Sequence, residues 1–505
     1  MDTLALLIDF GSTFTKVTAV NLQTQRIMGR AQAPTTAATD VSDGLFRALE
    51  MLSKRRPGIF RDPPTSLDAL GGVVIRASSS AAGGLRIVVV GLVPGLTVAA
   101  ANTAALGAGG KIVGTFGFKL AAEDVAEIER QQPDVVLLTG GTDGGDTRTI
   151  LHNAAALAHS RLRVPFVVAG NSAATAAIAA RLAAAGKEAT GVPNVMPAMN
   201  TVRAQPVQEE IRRLFMQRII QGKGIDKFKS RVPVLLPTPM AVLNAAILGA
   251  QGHAAHSGCG DLLLVDVGGA TTDVHSIGNG KSSENNIIPT GLPEPFAKRT
   301  VEGDLGIRCN AATILRRVGA ERLHAWFEEA FPEFRTSRAD LAGYVGDISA
   351  DAGSVPRHDW QSAADAVLAR IAVDIAIERH VGRREAYYAR SGTVMLQAGK
   401  DLTEVPTLIG TGGIFAHNPY AGRIMATAAA GDGQSGILRP MHARVRLDQD
   451  YILYAVGLLA DSHPEVALQI FKDHVLPDGR EPHNGPSDHG HLAGHAADGG
   501  HSCCS

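Results

Sequence analysis

Asp9, Gly11, Ser12, Thr13 and Lys16 set a carboxylate, a turn without a side chain, two hydroxyls and a cation within eight residues. That combination suits a polyphosphate. Glycine lets backbone N–H groups come close to phosphate oxygens, hydroxyls add hydrogen bonds, and lysine supplies a point charge. The carboxylate repels phosphate, so it is expected to act through Mg2+ or its waters. The same chemistry returns at Asp266, Gly268, Gly269, Thr271, Thr272 and Asp273. Two such loops are expected to clamp one nucleotide.

Residues 4–10 read as a buried strand that ends in a glycine turn, and 15–20 as its β-branched hairpin partner. Residues 262–267 and 271–277 repeat the unit. Between 71 and 197, short apolar strands at 73–75, 85–90, 111–113, 135–138 and 165–169 alternate with Ala-rich helical stretches. That pace is expected of a parallel sheet with crossover helices, here an inserted domain. A charged helical stretch at 208–221 precedes a break at Pro233, Pro237 and Pro239, and helices are expected to dominate 311–390. From 477 the chain is rich in Gly, His and Asp and is expected to be disordered.

A chain of 505 residues exceeds one ordinary core, so two or more domains are expected. Hydrophobic residues make up 45% and charged residues 19%, with 56 glycines and 5% aromatics, which suits an α/β protein. A net charge of −1 leaves no broad basic face for nucleic acid or anionic membrane, and Lys54-Arg55-Arg56 reads as a solvated face. No run of eighteen apolar residues occurs, and the apolar stretch 4–8 is too short and lacks the basic flank of a signal. Cys259, Cys309, Cys503 and Cys504 show no paired framework spacing, so a reducing cytoplasm is expected.

The two hairpins resemble those of the superfamily that holds actin, Hsp70-type chaperones and sugar kinases. Asp9 and Lys16 have the actin-like spacing, while Asp266 and Asp273, seven residues apart around Gly268 and Gly269, resemble the chaperone form. Residues 237–250 resemble the first inter-lobe connecting helix, 408–413 with Gly410, Gly412 and Gly413 the adenosine-binding turn, and 451–461 the second connecting helix. Within the superfamily, stretches 7–16, 77–85, 137–145 and 264–274 are similar to the glutamate mutase accessory (MutL/GlmL) family, nearly to residue 475. The resemblance implies two actin-like, ribonuclease H-like lobes with an inserted doubly wound α/β domain. The lobes are expected at 1–70 with 198–250 and at 251–476, and the insert at 71–197. It further implies ATP and Mg2+ as cofactors, with Asp9, Asp266 and Asp273 catalytic, Asp9 and Asp266 at the metal, and the glycines, Ser12, Thr13, Lys16, Thr271 and Thr272 at the nucleotide. The implied role is an ATP-dependent reactivating factor whose partners are subunits of an adenosylcobalamin-dependent mutase.

The insert resembles the doubly wound cobalamin-binding domain of such mutases, whose first loop carries Asp-x-His-x-x-Gly with a cobalt-ligating His. Here that loop reads Gly91-Leu92-Val93-Pro94-Gly95-Leu96-Thr97, and no His precedes His152. The insert is therefore expected not to ligate cobalt, and either to mimic the small cobalamin-binding subunit or to be an α/β spacer. The loop 140–145 reads as a tight strand-to-helix turn or an anion-binding nest. His483, His489, His491, His495, His501, Cys503 and Cys504 give the tail metal-donor types without a fold to fix them.

Two other classes share the clamp. A small-molecule kinase needs a general base at the substrate hydroxyl, for which Asp273 is the candidate, and an actin-like assembly protein needs self-complementary surfaces. Near Thr238 and Asn244 no Gln or Glu stands ready to orient water, so slow ATP turnover is expected.

Overall fold

The central strand of the first sheet, β1 (Leu4–Phe10), is almost wholly apolar, and Ala5, Leu6, Leu7 and Ile8 are completely buried in it. A run apolar on both faces belongs in the middle of a covered sheet. The computed structural model describes residues 3–11, 13–36, 40–80, 85–220, 232, 235–281, 287–389, 392–428 and 435–476. Ser12, residues 81–84, Pro233 and the tail from 477 lie outside them.

The chain divides into two units: Met1–Leu248 with Ile288–Arg299 and Tyr454–Ile470, and Gly249–Ile287 with Thr300–Leu453 and Phe471–Ser505. In the first unit β1 is followed by β2 (Phe14–Asn21), β3 (Arg26–Pro34), α1 (Val41–Arg55) and β4 (Val74–Ser79). The sheet is completed by β10 (Leu235–Pro237), in the order β10-β4-β1-β2-β3. β1, β2 and β3 pair antiparallel, whereas β4 and β10 run parallel to β1. That is the 3-2-1-4-5 order of a ribonuclease H-like sheet. Helix α1 starts at Asp40, whose carboxylate accepts the Ser42 amide at 2.8 Å, and buries Leu45, Ala48, Leu49 and Leu52 in the core it shares with the sheet.

Between β4 and β10 lies the insert: β5 (Arg86–Val90), α2 (Ala99–Gly107), β6 (Lys111–Phe116), α3 (Ala122–Arg130), β7 (Val135–Leu138), α4 (Arg148–Ala158), β8 (Phe166–Val168), α5 (Ser172–Ala184), β9 (Ala189–Gly191) and α6 (Gln205–Ile220). Its five strands are all parallel, in the order β6-β5-β7-β8-β9. This is the doubly wound 2-1-3-4-5 arrangement. The expectation that 73–75 opens this sheet is corrected by the register, since β4 sits directly beside β1, with Ile75 opposite Leu6. A strand flanked by Gly71-Gly72 and the break at 80 looks the same locally in either sheet, and only its partner decides. One face of the inserted sheet joins the core of the first lobe through Leu85, Ile87, Val89, Ala101, Ala105 and Val207. The other face makes a separate core with Val88, Val90, Leu138, Phe166 and Ile178.

After α7 (Thr238–Gln251) and the short pair β11 (Gly252–His253) and β12 (His256–Ser257), the second unit repeats the first topology. Its strands are β13 (Leu262–Val267), β14 (Thr272–Ile277), β16 (Ala297–Glu302), β19 (Thr407–Thr411) and β20 (Arg444–Leu447), with β15 (Ile287–Thr290) between β14 and β16. The order β16-β14-β13-β19-β20 is again 3-2-1-4-5, with β13 antiparallel to β14 and parallel to β19. Helices α8 (Ala311–Val318), α9 (Ala320–Ala330), α10 (Arg338–Ala350) and α11 (Asp359–His380) cover it. Beyond α11 the chain is a hairpin, β17 (Arg383–Ala389) and β18 (Gly392–Ala398), where helix was expected to continue to 390. Tyr387 and Tyr388 favour the extended pleat over a helix. Helices α12 (Gly413–His417), α13 (Ala421–Ile424), α14 (Leu453–Leu459) and α15 (Pro464–Val475) complete the fold. Among the described residues, no helix is long and apolar enough to cross a membrane.

Inside the second unit Asp365 on α11 is 1% exposed. Arg308 donates to both its oxygens, at 3.1 and 2.6 Å, and the Tyr344 hydroxyl donates at 2.9 Å. Burial pushes the Asp365 carboxyl up, and Arg308 and Tyr344 hold it down in opposition. Asp365→Ala leaves the guanidinium without its partner, and a broken buried pair costs about 3–5 kcal/mol. Chemical denaturation of the variant is expected to show the second unit unfolding at clearly lower denaturant, with the first unit's transition unmoved.

Candidate functional site

Asp9 is the one charged residue in β1 and is 2% exposed. Three strands fix what surrounds it. The antiparallel register sets Lys16 of β2 opposite, and the parallel register sets Ser78 of β4 on the other side. Lys16 Nζ donates to Oδ2 at 2.9 Å, the Ser78 hydroxyl to Oδ1 at 2.9 Å, and the Thr238 hydroxyl, where α7 starts, to Oδ1 at 2.6 Å. A buried carboxylate is tolerable when such donors satisfy it.

The turn beyond Asp9 is closed by the Gly11 amide, which donates to the Phe14 carbonyl at 3.1 Å. A Cβ on Gly11 would lie 2.6 Å from that oxygen, so the turn admits no side chain there. Thr35 braces it from β3's end: its hydroxyl donates to the Gly11 carbonyl at 2.8 Å and its amide to the Thr13 carbonyl at 2.9 Å. Thr13 itself is exposed.

In the second unit Asp266 takes the place of Asp9. It lies near the end of β13, opposite Asp273 on β14 and beside Thr411 on β19. The Gly268 amide donates to the Thr271 carbonyl at 2.9 Å, the same closure that Gly11 makes. Here the carbonyls of the turn are all taken. Ile307 N–H donates to the Gly268 carbonyl, Arg308 and Cys309 N–H to that of Gly269, and the Asn310 side chain to that of Ala270 at 2.8 Å. The N–H groups of Gly269, Ala270 and Thr271 donate to none of the described residues, and Gly269 and Ala270 are exposed. A turn with its carbonyls engaged and its amides open is an anion-binding nest.

Side chains divide in the same way. The Thr271 hydroxyl donates to Asp273 at 3.1 Å, whereas the Thr272 hydroxyl is fully buried and donates to the Leu305 carbonyl at 2.8 Å. Thr272 thus serves the fold. Gly410 lies within β19, and Gly412 follows it at φ 109°, where a Cβ would be 2.4 Å from the Val267 carbonyl and 3.0 Å from Asp266 Oδ1. The backbone therefore passes against the Asp266 carboxylate at a spot only glycine can occupy. Gly413 begins the short α12.

The structure thus gathers Asp9, Gly11, Thr13 and Lys16 in one unit, and Asp266, Asp273, Gly268, Gly269, Thr271, Gly410, Gly412 and Gly413 in the other. Ser78, Thr238, Thr35 and Asp448 were not singled out as site residues. Asp448 is completely buried, accepts the Thr411 hydroxyl at 2.8 Å and caps α14 through the Ile452 and Leu453 amides. Burial pushes its carboxyl up against those three donors.

For Mg2+, the donor set offers isolated carboxylates and hydroxyl oxygens, and among the described residues no group of three or more His, Cys, Asp and Glu is gathered to hold a metal. Oxygen-only donors in small number fit an ion that keeps waters and takes the rest of its shell from substrate phosphates. Three protein donors already occupy Asp9.

A family model described as MutL protein matches residues 5–475. Protein MutL of Clostridium tetanomorphum is 38% identical over 478 residues, covering 93% of this chain and 99% of that one. Among solved structures, nucleotide-free acetone carboxylase is 14% identical with a TM-score of 0.39, covering 91% of this chain and 70% of that one. The activator of 2-hydroxyisocaproyl-CoA dehydratase from Clostridium difficile, with bound ADPNP, is 10% identical with a TM-score of 0.30, covering 93% and 97%. At such scores the likeness is partial, and the fold assignment rests on strand order and register.

Thr238→Val removes one of the two hydroxyls on Asp9 Oδ1 at nearly constant volume. A hydrogen bond to a charged group contributes about 1.5–3 kcal/mol, and denaturation is expected to show a loss of that size. Ser78→Ala should cost a similar amount.

Proposed function

The chain belongs to the MutL protein family, and on that premise we propose that it is an ATP-dependent accessory factor that reactivates a client enzyme. The observation that carries the reading is the repeated hairpin. Asp9 and Asp266 end equivalent strands, Gly11 and Gly268 close equivalent turns, and the second turn keeps three amides open. One or two carboxylates, open turn amides and a lysine are what a Mg2+-bound triphosphate requires.

In this proposal the amides of Gly269, Ala270 and Thr271 and the Thr271 hydroxyl bind phosphate oxygens. Gly11, Thr13 and Lys16 do the same from the first hairpin, together with Ser12. The backbone at Gly410, Gly412 and Gly413 borders the adenosine. Asp9 and Asp266 would be the residues that hold Mg2+, and the ion would offset charge on the phosphates. Slow hydrolysis alternates the protein between states of different client affinity, the general means by which a nucleotide drives a conformational change.

The client we propose is an adenosylcobalamin-dependent mutase, glutamate mutase first among them. The insert is the part that meets it. Its 2-1-3-4-5 sheet has the topology of a doubly wound ligand-binding domain, but the loop after β5 is filled by its own chain. The Thr97 hydroxyl accepts the Leu92 and Val93 amides, and a Cβ on Gly91 would lie 2.6 Å from Val98 and 3.0 Å from Thr139. A surface shaped like a cofactor domain yet closed to a cofactor suits docking in place of one.

Wild-type protein is expected to bind Mg·ATP in calorimetric titration and to release phosphate slowly, faster when an inactivated cobalamin mutase is present. Asp266→Ala should lower phosphate release at least about a hundredfold, the scale on which loss of a positioned charge is felt in phosphoryl transfer. Release that persists unchanged in that variant overturns the site, and reactivation of the mutase without ATP overturns the role.

A further inference from the structure

We propose that Glu302 is the residue that orients and deprotonates the attacking water when ATP is hydrolysed at the Asp266 hairpin; the assignment rests on the ATP-binding reading above. Glu302 ends β16, the sheet neighbour of β14, and Asp273 is the second residue of β14. The chain after Glu302 folds directly over the hairpin turn. Leu305 receives the Thr272 hydroxyl, and residues 307–309 reach the Gly268 and Gly269 carbonyls. The carboxylate is thereby anchored beside the turn whose amides are open, within electrostatic range of Asp273.

Its own contacts are unequal. The side chain is 13% exposed, and Oε2 is paired with Arg379 Nη1. Arg379 is itself fixed by Asp304, to which it donates at 2.7 and 2.9 Å. Oε1 accepts no hydrogen bond from the described residues. One oxygen is locked by a bidentate-held guanidinium, so the other is aimed with little freedom, which is what a water-positioning group needs. Burial pushes the Glu302 carboxyl above the usual glutamate range, with Asp304 and Asp273 adding to the shift and Arg379 opposing it. The higher basicity suits proton abstraction.

In the step, the water oxygen bonds to the γ-phosphorus as the bond from that phosphorus to the β,γ-bridging oxygen breaks. ADP leaves with that electron pair, and the water's proton passes to Glu302 Oε1 and then to solvent. Phosphoryl transfer asks for positioning more than for covalent help, so one held carboxylate is sufficient.

The test uses the full-length protein, with calorimetric Mg·ATP affinity and single-turnover phosphate release measured from about pH 5 to 9. Glu302→Gln is expected to bind Mg·ATP within about threefold of wild type while release falls about 10²–10⁴-fold, the usual share of general base catalysis. The wild-type rate should fall toward acid as Glu302 takes up a proton, with a midpoint above the ordinary glutamate value. The Gln variant should lack that limb and Glu302→Asp should recover part of the rate. Asp304→Asn loosens Arg379, which holds Oε2, and removes a charge that raises the Glu302 carboxyl, so release should fall less than in Glu302→Gln and its acid limb should move to lower pH. A Gln variant as fast as wild type, or an Asp304→Asn variant whose acid limb does not move, overturns the assignment. Wild type that binds ATP without hydrolysing it overturns the assignment and the hydrolytic step of that reading while its ATP binding stands, whereas wild type that binds no ATP overturns the binding as well.

Discussion

A carboxylate at the end of an otherwise apolar central strand is the constraint on which each lobe is arranged. At Asp9 the cost of burial is met by donors from three directions: Lys16 across the antiparallel pair, Ser78 across the parallel pair, and Thr238 at the start of α7. An unsatisfied buried charge would cost several kcal/mol, so strand order and helix placement must deliver all three together. A one-residue slip of β2 would turn Lys16 to the opposite face and leave Asp9 with hydroxyls alone. Register and charge satisfaction are therefore one requirement.

The second lobe uses the same frame for a different electrostatic end. Opposite Asp266 stands Asp273 where the first lobe has Lys16, so the strand pair sets two carboxylates together instead of a carboxylate and an amine. The segment 303–310 takes up the carbonyls of the turn and leaves its amides open, which puts a positive rim beside negative side chains. Arg379 then draws Glu302 and Asp304 together at the end of β16. Such a mixture of acids, guanidinium groups and open amides is suited to an anion accompanied by its cation, and poorly suited to either one alone.

The hairpins were legible because their chemistry is local. Carboxylate, glycine and the residue seven positions on fall within one turn of chain, and hairpin closure needs only the glycine. Their topology was legible too, since each apolar run announced a buried strand. What escaped is what long-range pairing supplies. Ser78 is 69 residues from Asp9 and Thr238 is 229, and nothing in either residue's neighbours marks its partner. The membership of β4 in the first sheet was hidden for the same reason, as was Asp448, whose hydrogen bond to Thr411 spans 37 residues. Glu302 was overlooked because a water-orienting group was sought near Thr238, on the first lobe, and not on the edge strand of the second. Thr272 is the contrasting case: its hydroxyl, at an inward-facing position of the pleat, is buried and donates to the Leu305 carbonyl.

The insert's point of entry follows from the same geometry. β4 and β10 are adjacent parallel strands, and a parallel pair always needs a long crossover, so a whole domain fits there without altering the register of either. Loop-closure entropy grows only with the logarithm of length, so the extra chain costs the first sheet little. The entry point also has a consequence for Asp9. Ser78 lies just before the insert and Thr238 just after it, and these two residues supply both hydroxyls on Asp9 Oδ1. The insert is further fastened to the first sheet by a shared core running from Leu6 and Ile75 to Ile87 and Val207. Packed interiors transmit displacement instead of absorbing it. A force applied to the insert therefore acts on the two strands whose ends hold the carboxylate, and the donors that satisfy Asp9 lie in its path.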